Sequence, residues 1–348
     1  MKVFSPLEIV KRYATLKYHR IYSMPVVILM PHSRCNCRCV MCDIWKGNNS
    51  VKQLEETDIE QLLSSLKKFK TGLVVMSGGE ALMHPNFFRL CEILRSRKIK
   101  ISILSTGLLL KKYAEQIVNK TDEVIVSLDG SQAVHDLIRN IPEAYNKLKG
   151  GVEELKNLNK EYRVTARCVV QKANFRDLPN IVNAAHEIGL DQISFLNADV
   201  STDAFNRPDL WNEDKVKEIS LSRDEVDQFK ESIENLIKTH SEDFKSGFIA
   251  ETPEKLRKFY NYYAAFHGLC EFPTVNCNAP WVSAVIEADG SVRPCFFHAK
   301  IGNIRNTTLE KLINSPGSIS FRKNLDVTTN PICKKCVCSL NLSPFSKL

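Results

Sequence analysis

No stretch of this chain stays apolar for anything near the ~20 residues that span a bilayer. The N-terminus carries Lys2, Glu8, Lys11 and Arg12 where a secretory signal would have an apolar core. Membrane-spanning and secreted classes are therefore set aside. A concentrated basic face is also missing. The 48 Lys and Arg residues are spread along the chain, so a formal charge of +8 does not by itself point to nucleic acid, and no nucleic-acid partner is expected. Nor is cysteine used as in a small disulfide scaffold. Twelve cysteines in 348 residues are too sparse for that, and they bunch at metal-site spacings. The expected setting is a reducing cytoplasm. Ser346-Lys347-Leu348 spells a peroxisomal address, which as a three-residue match is taken as coincidence. What is present is ordinary charge and a 43% apolar fraction, enough for one large domain or a domain with an appendage.

The densest chemistry lies in residues 31–45, PHSRCNCRCVMCDIW. Cys35, Cys39 and Cys42 stand at a C-x3-C-x2-C spacing just after the apolar run Val26 to Met30, which reads as a buried strand. Tetrahedral zinc and a fully ligated iron–sulfur cluster both want four ligands. Three local thiols suggest a cubane with one iron left for something other than protein. Half a zinc site, completed by Cys37 or a distant residue, is the alternative.

With Met41 before the third cysteine and Trp45 after it, the motif resembles the signature of the radical S-adenosylmethionine (SAM) enzymes, although an aromatic residue is commoner where Met41 stands. The resemblance implies a [4Fe–4S] cluster whose open iron binds the amine and carboxylate of SAM. It further implies reductive cleavage to a 5′-deoxyadenosyl radical that abstracts hydrogen from substrate.

A second motif, Ser77-Gly78-Gly79-Glu80, follows the strand expected at 72–76. Two glycines let the backbone approach a ligand closely, and Glu80 adds a carboxylate where an ammonium can bind. The motif resembles the family's GGE, which holds the SAM amino group. His84 reads as a capping or packing histidine. Further on, Ser127-Leu128-Asp129-Gly130 resembles the family's SLDG motif, whose serine approaches the SAM carboxylate. Arg139 could pair with the same carboxylate or form a surface ion pair. Asp129 shapes the turn or bonds a ribose hydroxyl. By the same resemblance Arg167 and Leu196 lie near the SAM carboxylate and adenine. Cys91 and Cys168 sit on apolar faces and read as buried structural thiols.

Apolar periodicity sets a regular rhythm. After a helix at 5–16, capped by Ser5, strands are expected at 26–30, 72–76, 100–105, 123–128, 163–170 and 192–197. Helices are expected at 57–68, 87–97, 109–118, 143–158 and 178–188. Alternation implies parallel strands with right-handed crossovers, and functional loops at strand carboxyl ends mark a β/α barrel. Six units cannot close an eight-stranded barrel, so the fold class is α/β, a partial (β/α)6 TIM-like barrel. The expected divisions are a packing helix in 1–24, the barrel core in 25–198, a bridge or lid in 199–268 around Pro208 and Trp211, and a cysteine-bearing segment in 269–348. Bridge helices are expected near 223–238 and 253–265.

That last segment carries Cys277, Cys295, and Cys333-x2-Cys336, with a hairpin across 284–292 turning at Asp289-Gly290 and a helix at 307–314. It resembles the SPASM/twitch extension of radical SAM enzymes, which frames an auxiliary cluster. The C-x2-C-x5-C-x3-C run of the larger form is absent. The resemblance therefore implies one auxiliary [4Fe–4S] cluster on Cys277, Cys295, Cys333 and Cys336. Cys338 could replace a neighbour, Cys270 is a spare thiol, and a four-cysteine zinc site is the alternative.

The implied activity is hydrogen abstraction leading to oxidative modification of a small molecule or a peptide side chain. The implied partner is a low-potential electron donor such as flavodoxin or ferredoxin. Only about 24 residues precede the first strand, too few for a peptide-recognition domain, and the chain lacks the terminal Gly-Gly of the nucleotide-rearranging branch. Two other readings stand beside this one: an RNA-modifying radical enzyme, and a non-catalytic, zinc-stabilised binding protein.

Overall fold

The computed structural model describes residues 6–346 except 203, 205, 206 and 208. The expected cap Ser5, the turn residue Pro208, and Lys347 and Leu348 lie outside the described residues. The strands are β1 (Val26–Leu29), β2 (Leu73–Met76), β3 (Lys100–Ser105), β4 (Glu123–Ser127), β5 (Arg163–Val170) and β6 (Gln192–Asn197), each paired in parallel with the next. The helices of this part are α1 (Pro6–Tyr18), α2 (Glu56–Lys68), α3 (Phe87–Arg95), α4 (Leu110–Lys120), α5 (Gln132–Arg139), α6 (Ala144–Leu158) and α7 (Leu178–Ile188). The partial barrel is as the alternation requires. Alternate strand residues, among them Val27, Leu29, Val74, Met76, Ile103 and Val126, enter the main core under the helices. Val26, Ile28 and Val75 face the other way, into the lumen.

Three features depart from the sequence reading. The segment carrying His135 and Arg139 is a helix, α5, stopped by Asn140 in the left-handed region at φ 53°. Helix α1 buries Arg12 and Thr15, while Leu7, Val10 and Tyr13 are exposed, so its packing face is more polar than its apolar spacing implies. Arg12 ties it to the C-terminal stretch by donating to the Ser346 carbonyl at 2.8 Å.

The third departure concerns the cysteine-bearing segment. Its hairpin, β7 (Ser283–Ile286) and β8 (Ser291–Arg293), forms as expected and turns through Gly290 at φ 83°. But β7 also pairs in parallel with β1, with Val26 opposite Ser283 and Leu29 opposite Ile286. Among the described residues one sheet of nine strands results, ordered β6-β5-β4-β3-β2-β1-β7-β8-β9, with β9 at Gly302–Asn303. The barrel and the C-terminal segment are continuous.

At the opposite edge the bridge covers β6. Its helices are α8 (Glu213–Ile219), α9 (Arg223–Thr239), α10 (Ser241–Ser246) and α11 (Pro253–Phe266). Ser222 and Glu225 form a capping box at α9, and Thr252 with Pro253 opens α11. Ile249 bridges to Ile193 in parallel, and the Tyr263 hydroxyl donates to the Val170 carbonyl at 2.6 Å.

Candidate functional site

The cysteine loop leaves β1 and is pinned on three sides. Glu80 N–H donates to the Arg34 carbonyl at 2.9 Å. Arg38 and Val40 N–H donate to the carbonyls of Arg139 and Ile138, the open end of α5. Asn48 brackets Cys35, accepting from its N–H at 3.0 Å and donating to its carbonyl at 2.9 Å. The two glycines of the GGE motif make this docking possible. Gly78 has φ 106°, a left-handed position. A Cβ on Gly79 would overlap the Arg34 carbonyl. The glycines therefore let the loop after β2 lie directly on the cysteine loop.

Glu80 is fully buried. Its carboxylate accepts from Thr106 N–H at 2.7 Å, Thr106 Oγ1 at 2.6 Å, Ser105 Oγ at 3.1 Å and Leu82 N–H at 3.2 Å. Burial pushes its carboxyl upward, opposed by the Thr106 bonds. Thr106 Oγ1 also lies 3.0 Å from the Asn36 side-chain amide, so the ends of β2 and β3 and the cysteine loop form one network. Ser105 and Thr106 are site residues the sequence reading missed. The signal was a polar pair closing the apolar run KISIL.

Asp129 and Arg139 are both buried and ion-paired. Asp129 also accepts from Val169 N–H at 2.8 Å, and Arg139 Nη1 lies 3.5 Å from Cys39 Sγ. Arg139 is thus neither on the surface nor free: its charge spans the SLDG turn and a cysteine of the triad. Cys39 is held down to about 6, first by a hydrogen bond from Cys37 and then by Arg139, against its burial. Cys42 is pushed up to about 12 by burial. Cys37 is buried and hydrogen-bonded to Cys35 and Cys39. His135 donates nothing to the loop. Its Nδ1 accepts from Asp129 N–H at 3.2 Å, and burial, then Arg139, pushes it down to about 3. His84 is buried and bonds the Leu54 carbonyl at 2.9 Å, a packing role as read from the sequence.

Ser127, Arg167 and Ser194 stand in register on β4, β5 and β6, with Leu196 beside Val169. Arg167 faces the lumen, where it lines a cavity of about 230 Å³. Cys277, Cys295, Cys333, Cys336 and Cys338 line the same cavity. Cys338 therefore joins the four expected thiols, whereas Cys270 is exposed and lies near the Asn261 carbonyl instead. His298 Nε2 is 3.3 Å from Cys333 Sγ, and burial pushes Cys333 up to about 12.

Among the described residues no three His, Cys, Asp or Glu side chains converge ready-made on one metal position. The chemistry of the donor sets nonetheless fits iron–sulfur ligation. Both groups are all-thiol, and the Arg139 guanidinium beside Cys39 favours its thiolate.

Residues 29–185 match the model of the Radical SAM superfamily, and 277–337 match SPASM, an iron–sulfur cluster-binding domain. A pre-heme d1 synthase of Dinoroseobacter shibae is 28% identical over 48% of this chain and 42% of its own length. The chain spans about half the length of the first curated relatives it matches. A cysteine-type anaerobic sulfatase-maturating enzyme of Clostridium perfringens is 24% identical over 90% of this chain and 86% of its own. Among solved structures, Streptococcus suis SuiB bound to the precursor peptide SuiA superposes with a TM-score of 0.63 at 15% identity, covering 95% of this chain and 75% of that one. That likeness speaks to the fold, and it matches the partial barrel with its C-terminal hairpin described above.

Proposed function

The chain belongs to the radical SAM superfamily and carries a SPASM domain, and from that premise we propose that it cleaves SAM reductively and oxidatively modifies a peptide side chain or a small molecule. Its cofactors are those of the family: a [4Fe–4S] cluster with SAM, and auxiliary iron–sulfur. When bound, they supply a 5′-deoxyadenosyl radical able to abstract hydrogen from an unactivated carbon. Cys35, Cys39 and Cys42 hold the first cluster. Cys277, Cys295, Cys333 and Cys336 hold the auxiliary one. Gly78, Gly79 and Glu80 form the SAM amine pocket, Ser127, Arg139 and Arg167 its carboxylate side, Asp129 the turn behind it, and Leu196 the adenine side. A low-potential flavodoxin or ferredoxin in a reducing cytoplasm is the electron donor. No described helix is long and apolar enough to cross a membrane.

The observation that carries this reading is the docking of the cysteine loop on Gly79, which admits no side chain. Residues of this chain do the positioning. Arg139 keeps positive charge against Cys39, and Glu80 locks the ends of β2 and β3 under the loop. Next to them lies a cavity of about 400 Å³, within the range of small-molecule sites. His32, Gly78 and Gly79 line it, as do Val285 and Glu287 of the hairpin and Phe296 just after it. The names of the Clostridium sulfatase-maturating enzyme and of Streptococcus SuiB bound to a precursor peptide support a protein or peptide as substrate.

The test is anaerobic reconstitution followed by dithionite reduction with SAM. The wild-type chain is expected to release 5′-deoxyadenosine and Cys39→Ala none, read by mass spectrometry. Equal release from the two proteins overturns the assignment of the cluster.

A further inference from the structure

A cleft beside β6 combines a cationic lining with thiols of the auxiliary site. It has a volume of about 320 Å³ and lies between β6, α11 and the C-terminal loop. Lys255, Lys258 and Lys334 line it, together with Arg167, which is assigned above to the SAM carboxylate, against one lining carboxylate, Glu251, and Lys334 also faces Glu271 at 3.7 Å. Glu251 is already engaged: it accepts from Phe195 N–H at 2.9 Å and pairs with Lys255 at 3.3 Å. The side chains of Lys255 and Lys334 are 56% and 41% exposed, and Lys258 is exposed, so the cations rim the mouth. Cys336 and Cys338 line the same cleft. It therefore leads from a cationic rim straight to thiols of the auxiliary site.

We propose that this cleft docks a small acidic one-electron carrier protein, which exchanges electrons with the auxiliary cluster. The proposal rests on the functional reading above, because the thiols form a redox centre only if they hold a cluster. One electron leaves the reduced carrier and enters the cluster, which passes from the 2+ to the 1+ state. The carrier is oxidised by one electron, no bond forms or breaks, and no proton moves. Cationic rims raise the encounter rate with acidic partners, and electron-transfer complexes need only a small, transient interface. An acidic peptide substrate is the other macromolecule these charges suit. The test below separates the two.

The experiment uses the full-length chain, reconstituted anaerobically, with a reduced flavodoxin as probe. Stopped-flow absorbance gives the rate of cluster reduction, and fluorescence anisotropy of labelled flavodoxin gives the affinity. The Lys255→Gln/Lys258→Glu double variant is expected to be reduced about tenfold more slowly at low salt, with the difference shrinking as salt rises. Dithionite, a small inorganic reductant, is expected to reduce the variant and wild type alike. Glu271 is 92% exposed and 3.7 Å from Lys334, so Glu271→Lys adds to the positive rim and is expected to speed reduction by flavodoxin, a gain that misfolding cannot produce. Wild-type rates with flavodoxin in both variants overturn the proposal. So does a labelled Glu/Ala peptide whose binding depends on Lys255 and Lys258 while flavodoxin binding does not. A wild-type chain that takes up no iron and releases no 5′-deoxyadenosine with dithionite overturns the functional reading instead.

Discussion

Gly79 and His135 show how single residues constrain the site from two directions. At Gly79 the constraint is space. A methyl group there collides with the Arg34 carbonyl, a backbone atom that cannot rotate away, so the cysteine loop must lift off β2. Gly79→Ala is expected to cost about 1–3 kcal/mol of stability, the range for overpacking. It should also cut iron uptake at the triad, measured as iron per chain after reconstitution. At His135 the constraint is charge. The imidazole is buried beside Arg139, and its Nε2 has no hydrogen-bond partner among the described residues. Its folded pKa, about 3, lies below the ordinary 6.5, so unfolding takes up a proton. Stability from this group is therefore intact above pH 6.5 and lost as pH falls from there towards 3, by about 2 kcal/mol at pH 5. His135→Gln keeps an acceptor for Asp129 N–H. It should flatten the acid limb of a denaturation series between pH 6.5 and 4, and an unchanged limb would show that another group sets acid sensitivity.

Among the elements, β7 joins what the sequence suggested were two units. Ile286 is fully buried, stands opposite Leu29, and accepts the N–H of Met30 through its carbonyl. Ile286→Ala is expected to cost about 2–5 kcal/mol, and the loss should appear in a single cooperative transition that includes the barrel. Leu269→Ala, at a residue 41% exposed, should shift the same transition by no more than about 0.5 kcal/mol. Two transitions with the barrel's untouched would mean that the C-terminal segment folds alone. The β7–β1 pairing was invisible in the sequence because it joins residues more than 250 positions apart, and parallel pairing leaves no local turn signal. Elements defined by local chemistry were legible: all six barrel strands, the hairpin turning at Asp289-Gly290, and the two bridge helices expected near 223–238 and 253–265, which are α9 and α11. Helix α5 was not assigned, because its eight residues offer barely two turns of periodicity.

Taken whole, the molecule places one all-thiol group at the carboxyl ends of β1 and β2 and another around the lumen, and only the first was legible as a complete constellation. The triad lies within eight residues, so its spacing alone groups it. The five lumenal thiols come from three separate stretches, and Cys338 joins them only because the chain after Cys336 turns into the cavity. Arg139 illustrates the same difference: its type suggested an anion, but only the packing of α5 against the loop puts Cys39 and Asp129 in its reach. Because the two thiol groups share no residue and no loop, their iron should load independently. Wild type is expected to hold about eight irons per chain as two [4Fe–4S] clusters. Cys39→Ala and Cys295→Ala should each retain about four, and the double variant close to none. Zinc in place of iron would show that the lumenal site does not carry an iron–sulfur cluster, and a Cys295→Ala chain that loses all its iron would show that the two sites do not load independently. In the second case the auxiliary thiols would act as a structural support on which the triad depends.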